Sequence, residues 1–233
     1  MSELRPLGDD VWVCDRPFHV LGMNVGTRMT VVRLADGGLF LHSPVKLTAG
    51  LRGELEALGP IRHAVGPNLH HHLYLSDYAG LPGVRLYASP GLAAKAKKVA
   101  FDEELGDAAP AAWQGQLDQH CFQGAPFMSE VVFFHRASGS LLLADLCFNF
   151  VEHPQWLARS WLRLMGGLGR FGPPRHVRIL FRDKAAARRS VDAILAWDVR
   201  RVVVTHGVVL QQSGRRVLRE AFAFLPEADG PSA

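Results

Sequence analysis

The chain has 233 residues, 48% of them hydrophobic and 21% charged, with a formal net charge of +4 and 11 histidines. That length suits one large domain or two small ones, and the composition is that of a globular protein with ample core. It excludes a membrane span, because no apolar run approaches the roughly 18 residues needed, and so modest a basicity makes no case for a nucleic-acid partner.

The opening MSELRPLGDD is polar and acidic, unlike a secretory signal. Cys14, Cys121 and Cys147 are widely spaced and form no CxxC pair, so reduced thiols in a cytoplasmic protein are expected. Residues 10–15 (DVWVCD) alternate as a strand. Thr30–Leu34 and Leu39–His42 read as a hairpin around Asp36-Gly37-Gly38, residues that tolerate positive φ. Leu47, Leu51, Leu55 and Leu58 recur at helical spacing and Gly59-Pro60 stops that helix. IRHAVGP is then a short buried strand, and LPGVRLYASPG a second one. Residues 92–101, rich in alanine and lysine, are predicted helical. Residues 106–124 read as a loop with a short strand near CFQG.

Residues 130–135 and 140–146 form a second hairpin around Ala137-Ser138-Gly139. Part of 152–174 is predicted to be an amphipathic helix serving as a lid or interface. Residues 183–197 read as a helix, 200–205 as a buried strand, and 217–224 as a last helix before a tail that frays from about residue 226. Nine basic residues fall between Arg159 and Arg189 without regular aromatic interleaving, which reads as a solvated helix face. The order is strands, helix, strand, helix, then hairpin, helix, strand, helix. It predicts an α/β fold in one domain over 1–233, an αββα sandwich of two mixed sheets flanked by helices.

Three strand ends carry ionisable residues. IRHAVGPN leads to His70, His71 and His72; LLLAD ends in Asp145; VVVTHG ends in His206, where Gly207 lets the backbone turn sharply. Loops at strand ends are where α/β proteins place their sites. A buried strand-end carboxylate must be paired or bound to a cation. His70, His71, His72, Asp145 and His206 are the candidate metal ligands: on an extended stretch His70 and His72 point one way and His71 the other, so two of the histidines are expected to share a metal with Asp145 and His206, and at least one of the three to face them. Cys147 falls on the same strand face as Asp145, where a thiolate ligand is conceivable and a buried structural cysteine commoner. Arg28 and Asn68 are candidates for holding an anionic substrate or orienting a ligand, with a structural role the commoner case for both. His42, His63, His135, His176 and the other scattered histidines are given no role.

This order of elements resembles the metallo-β-lactamase superfamily, over about Leu7 to Phe224, and the chain looks like one of its divergent branches of unknown function. In that superfamily an HxHxDH loop, a later His, a strand-end Asp and a final His build a two-metal hydrolytic site. Asn68, His70, His72 and Leu73 stand at the H, H, D and H positions, and only His70 keeps the expected type. Asp145 and His206 match the strand-end Asp and the final His, and no histidine stands near Ala125-Pro126 where the intermediate one belongs.

The resemblance implies a hydrolase-like enzyme acting on a small ester, thioester, lactam or phosphoester, with one divalent metal, zinc or iron, in an altered mononuclear site. Two alternatives stand beside it: a non-catalytic binding or scaffold protein without metal, and a single-iron redox protein. Leu73 is expected to close one side of the cavity. Residues 156–171 are expected to flank its mouth with apolar walls.

Overall fold

A computed structural model describes residues 2–227. The tail expected to fray lies outside the described residues from position 228 on.

The N-terminal half builds a seven-stranded sheet. It starts with β1 (Arg5–Gly8) and β2 (Val11–Arg16), and a two-stranded hairpin of β3 (His19–Val20) and β4 (Met23–Asn24) then projects from it. β5 (Thr27–Arg33), β6 (Leu39–His42), β7 (Ile61–Gly66), β8 (Arg85–Ala88) and β9 (Glu103–Glu104) complete it, in the order β1-β2-β5-β6-β7-β8-β9. Pairing is antiparallel as far as β6 and parallel from β6 to β9. The second sheet runs β10 (Leu117–Cys121), β11 (Val131–His135), β12 (Ser140–Leu143), β13 (Arg201–Val204), and only its last pair is parallel.

The strand alternation explains the layers. Val11, Val13, Val32 and Phe40 of the first sheet pack against Val131, Phe133 and Leu142 of the second. Trp113, fully buried, sits between them with its ring 5.0 Å from that of Phe40 and 4.8 Å from that of Tyr87. The residues next to these point outward. Met29, Val31 and Leu41 meet Leu51 and Leu55 of α1 (Ala49–Leu58). Val132, Phe134 and Val202 meet α5 (Lys184–Leu195) and α6 (Gly214–Ala221). Thr48 caps α1 by accepting the Leu51 N–H at 3.1 Å, and Asp183 caps α5 through the Ala186 N–H. Two sheets face to face with helices outside is the αββα sandwich.

Four local expectations shift. The helix expected over 92–101 is one turn only, α2 (Leu92–Lys95), since Ala96 leaves helical geometry and the lysines at 95, 97 and 98 give it no continuous apolar face. The strand expected near CFQG lies earlier, at β10, where Leu117, Gln119 and Cys121 turn inward. Gln119 disguised the alternation, because its buried amide is used by the Trp113 indole at 3.0 Å. The β3–β4 hairpin was not foreseen. Its turn, Leu21-Gly22, holds positive φ at both residues, the two-residue geometry whose twist matches paired strands. The last helix starts three residues before its expected position. Between β12 and α5 lie α3 (Trp156–Leu164) and α4 (Arg175–Arg178).

Candidate metal centre

Register brings the site together. In the parallel pair of β12 and β13, Leu143 stands opposite Val204. Asp145 and His206 each lie two residues further on, so they leave the sheet side by side. Gly207 then takes φ 95°, and a Cβ there would collide with the Asn149 carbonyl, so only glycine lets the chain turn directly after His206. The first sheet ends at the same edge, where the N–H of Leu69 donates to the Met128 carbonyl and that of Val131 to the Pro67 carbonyl.

The loop after β7 is not extended. Asn68, fully buried, accepts the N–H groups of both His70 and His71 on its side-chain oxygen at 2.9 Å, folding residues 68–74 into turns. The two-sided alternation expected for the three histidines therefore does not apply, and His71 is the one presented to Asp145. Its Nε2 lies 3.3 Å from Asp145 Oδ1, as does His206 Nε2. Ligand atoms of His71, Asp145 and His206 all lie within 4.8 Å of one another. His70 Nδ1 is 3.7 Å from the other oxygen of Asp145, with half its side chain exposed. His72 lines the adjoining cavity.

Each imidazole in the cluster is fixed from behind. His71 Nδ1 lies 2.7 Å from the Ser43 hydroxyl, and Ser43 adopts φ 55° to offer it at the end of β6. His206 Nδ1 donates to the Gly26 carbonyl at 2.8 Å. In both rings Nε2 is thereby directed at Asp145, the arrangement of a metal-ligating histidine with its outer partner. Two imidazoles and one carboxylate, with room left open beside them, are a donor set that suits Zn²⁺ or Fe²⁺.

Burial opposes ionisation of Asp145, but the His71 and His206 imidazoles outweigh it and hold the carboxyl well below the usual range. Burial likewise opposes charge on His206, and Asp145 overcomes it, raising that imidazole. Behind them sits Glu130, absent from the sequence reading. Its carboxylate accepts the backbone N–H groups of Ala144, Asp145 and Leu146 and the Asn68 amide at 3.1 Å. The same Asn68 nitrogen reaches Asp145 Oδ2 at 2.8 Å. Burial and the charge of Asp145 push Glu130 up to about 7, against the donors of Ala144, Asp145 and Asn68. An acid opening the apolar run EVVFFH was the one signal available for it.

Arg28 is used inside the fold. Its guanidinium pairs with Asp15 at 2.6 Å and donates to the Val204 carbonyl at 2.7 Å, tying β13 to the first sheet, and it does not line the cavity. Cys147 is fully buried in the outer core layer, and burial followed by the Glu130 charge raises its thiol far above the usual range. Among the described residues the cluster comprises His71, Asp145 and His206, without that thiol. His176, passed over in the sequence, lines the cavity with its ring 5.2 Å from that of Trp161.

The cavity holds about 600 Å³ above the cluster. Its walls come from the β3–β4 hairpin, the segment after β12, α3 and α4, and the loop carrying Leu73, which is 56% exposed at its edge.

A family model described as a domain of unknown function, DUF4336, matches residues 8–162. No curated protein matches the chain. Among solved structures, a metallo-beta-lactamase from Hirschia baltica superposes with a TM-score of 0.67 at 16% identity, over 98% of this chain and 99% of that one. One from Pontibacter korlensis gives 0.65 at 16% identity, over 96% and 99%. A Pseudomonas aeruginosa metallo-beta-lactamase in its mono-zinc form gives 0.64 at 14% identity, over 95% and 93%. At such identities the likeness is one of fold. The chain belongs to the DUF4336 family, and it is a divergent member of the metallo-β-lactamase-like fold.

Proposed function

We propose that this chain is a metal-dependent, hydrolase-like enzyme with a single-metal centre held by His71, Asp145 and His206, acting on a small molecule. The observation that carries the reading is the convergence of two imidazole Nε2 atoms on one carboxylate oxygen, each at 3.3 Å, with both rings locked from their far side. A Zn²⁺ or Fe²⁺ bound there would bring the pKa of a water towards neutrality and polarise a carbonyl or phosphoryl oxygen. The chain's own residues do the rest. Ser43 and the Gly26 carbonyl set the two tautomers, and the buried Asn68–Glu130 pair fixes Asp145 and its backbone. His70, half exposed beside Asp145, is placed to exchange a proton with a substrate atom at the edge of the cluster. Leu73 stands where the superfamily's motif has a ligand, so the reading assigns one ion and not two.

Elemental analysis of the purified chain should find about one zinc or iron per chain, and His206→Ala should lose it while keeping its circular dichroism. A metal-free wild type would leave a binding or scaffold protein as the better account. A second reading shares the same residues. Two histidines and one carboxylate with open positions also suit a non-haem iron centre, and iron as the native metal with an iron-dependent visible band would favour redox chemistry.

A further inference from the structure

The proposed reaction leaves the substrate open, and the cavity narrows it. Most of its polar groups gather at one place. Asp145 and the rings of His71 and His206 form a floor whose side chains are only 9–15% exposed. His70, His72 and Lys95 line the cavity beside that floor. The remaining walls are mainly hydrocarbon and aromatic, with Leu21, Met23 and Val25 on the hairpin side and Phe148, Trp161 and Leu162 opposite, and Thr27, Tyr74 and His176 are the other polar residues lining them. Lys95 is the only lysine or arginine lining the cavity among the described residues. The same elements expose further apolar side chains: Leu21 at the hairpin tip is 93% exposed, and Trp156 and Leu157 of α3 are 66% and 60% exposed.

A polar substrate would lie against these walls with its hydrogen-bonding groups unmatched, whereas each methylene placed there leaves water. We infer that the substrate is an amphiphile with one long aliphatic acyl chain, joined as an ester or thioester to a small anionic head. The chain lies between the β3–β4 hairpin and α3, the carbonyl meets the floor, and the head faces Lys95. This rests on the hydrolytic reading of the floor. Water adds to the carbonyl carbon and the acyl C–O or C–S bond breaks. The products are a carboxylate, an alcohol or thiol, and the proton that the water gives up.

Neutral alcohols test the wall apart from the floor. Hexanol, octanol and decanol are titrated calorimetrically into the full chain, wild type and variants. The inference expects affinity to rise about fourfold per added methylene, the gain of removing that group from water. Trp161→Ala and Leu21→Asp should flatten that rise, the latter at a surface position that does not endanger folding. His206→Ala, which removes a floor residue, should keep it. Hydrolysis of octanoyl thioesters with an anionic thiol should then weaken at least severalfold in KM for Lys95→Ala, with kcat little changed. Equal or absent binding of the three alcohols, or a rise unaffected by both wall variants, overturns the inference. Chain-length dependence in a protein that binds no metal would leave the cavity assignment standing and remove only the hydrolytic reading. Metal binding without chain-length dependence would do the reverse.

Discussion

His206 and His42 are both buried histidines of the sandwich, and their surroundings set them apart. His206 has a partner at each nitrogen, the Gly26 carbonyl on one side and Asp145 on the other, and its charge is favoured despite burial. His42, fully buried at the end of β6 with its ring 5.7 Å from that of Phe133, has a partner at neither nitrogen. Burial, with a smaller contribution from His71, pushes it down to about 3. Residue type and burial are shared, so the difference lies in partners. Where the chain supplies an acid and a carbonyl, a histidine becomes a ligand candidate. Where it supplies aromatic edges, the histidine is a neutral filler of core.

The widest break in that contrast is Asp145→Ala. With the shared carboxylate gone, His71 and His206 have no common centre, and zinc affinity measured by chelator competition should fall more than about 100-fold, beyond the range for losing an outer partner. Ser43→Ala removes only the group that sets the His71 tautomer, and should cost about 10–100-fold in the same assay. A thermal or urea melt of Glu130→Gln should show a loss of about 1–3 kcal/mol, because one amide N–H₂ must then face donors that the carboxylate accepted.

How much of this was legible follows from the same residues. Asp145 and His206 end apolar runs, and the parallel register that sets them side by side follows from a strand–helix–strand order that the periodicity displays. The outer layers were legible because Leu51 and Leu55, or Val191 and Ile194, recur at helical spacing. The choice among His70, His71 and His72 was not, because it depends on Asn68 capping the loop, a contact between neighbours that alternation does not encode. What Ser43 and Glu130 do was hidden for a related reason. Their roles are hydrogen bonds across 28 residues or from a strand start to the next strand's end, and a single sequence holds no period for those. Arg28, a candidate for holding an anionic substrate, is instead consumed by Asp15 and a backbone carbonyl.

A smaller effect sharpens the other side of the comparison. His42 has a folded pKa of about 3, below its unfolded value near 6.5. The unfolded chain therefore takes the proton first, and stability present in full above about pH 6.5 is lost as pH falls from there towards 3. His42→Leu should flatten the acid side of the stability profile by up to about 1.4 kcal/mol per pH unit, read from urea midpoints between pH 6.5 and 4. His63, pushed down to about 4 by burial, should leave a residual slope. The smallest expected effect is that of His70→Ala, which should change zinc affinity by no more than a few-fold, since His70 approaches the second oxygen of Asp145 at 3.7 Å and stays half exposed.

Zinc-edge X-ray absorption of the zinc-loaded chain tests the central claim most directly. The account predicts one zinc per chain with a first shell of nitrogen and oxygen at about 2.0–2.1 Å, an outer-shell pattern of two imidazoles, and no sulfur. A sulfur shell near 2.3 Å, which only a cysteine could provide at that length, or a chain that takes up no zinc at all, would contradict it.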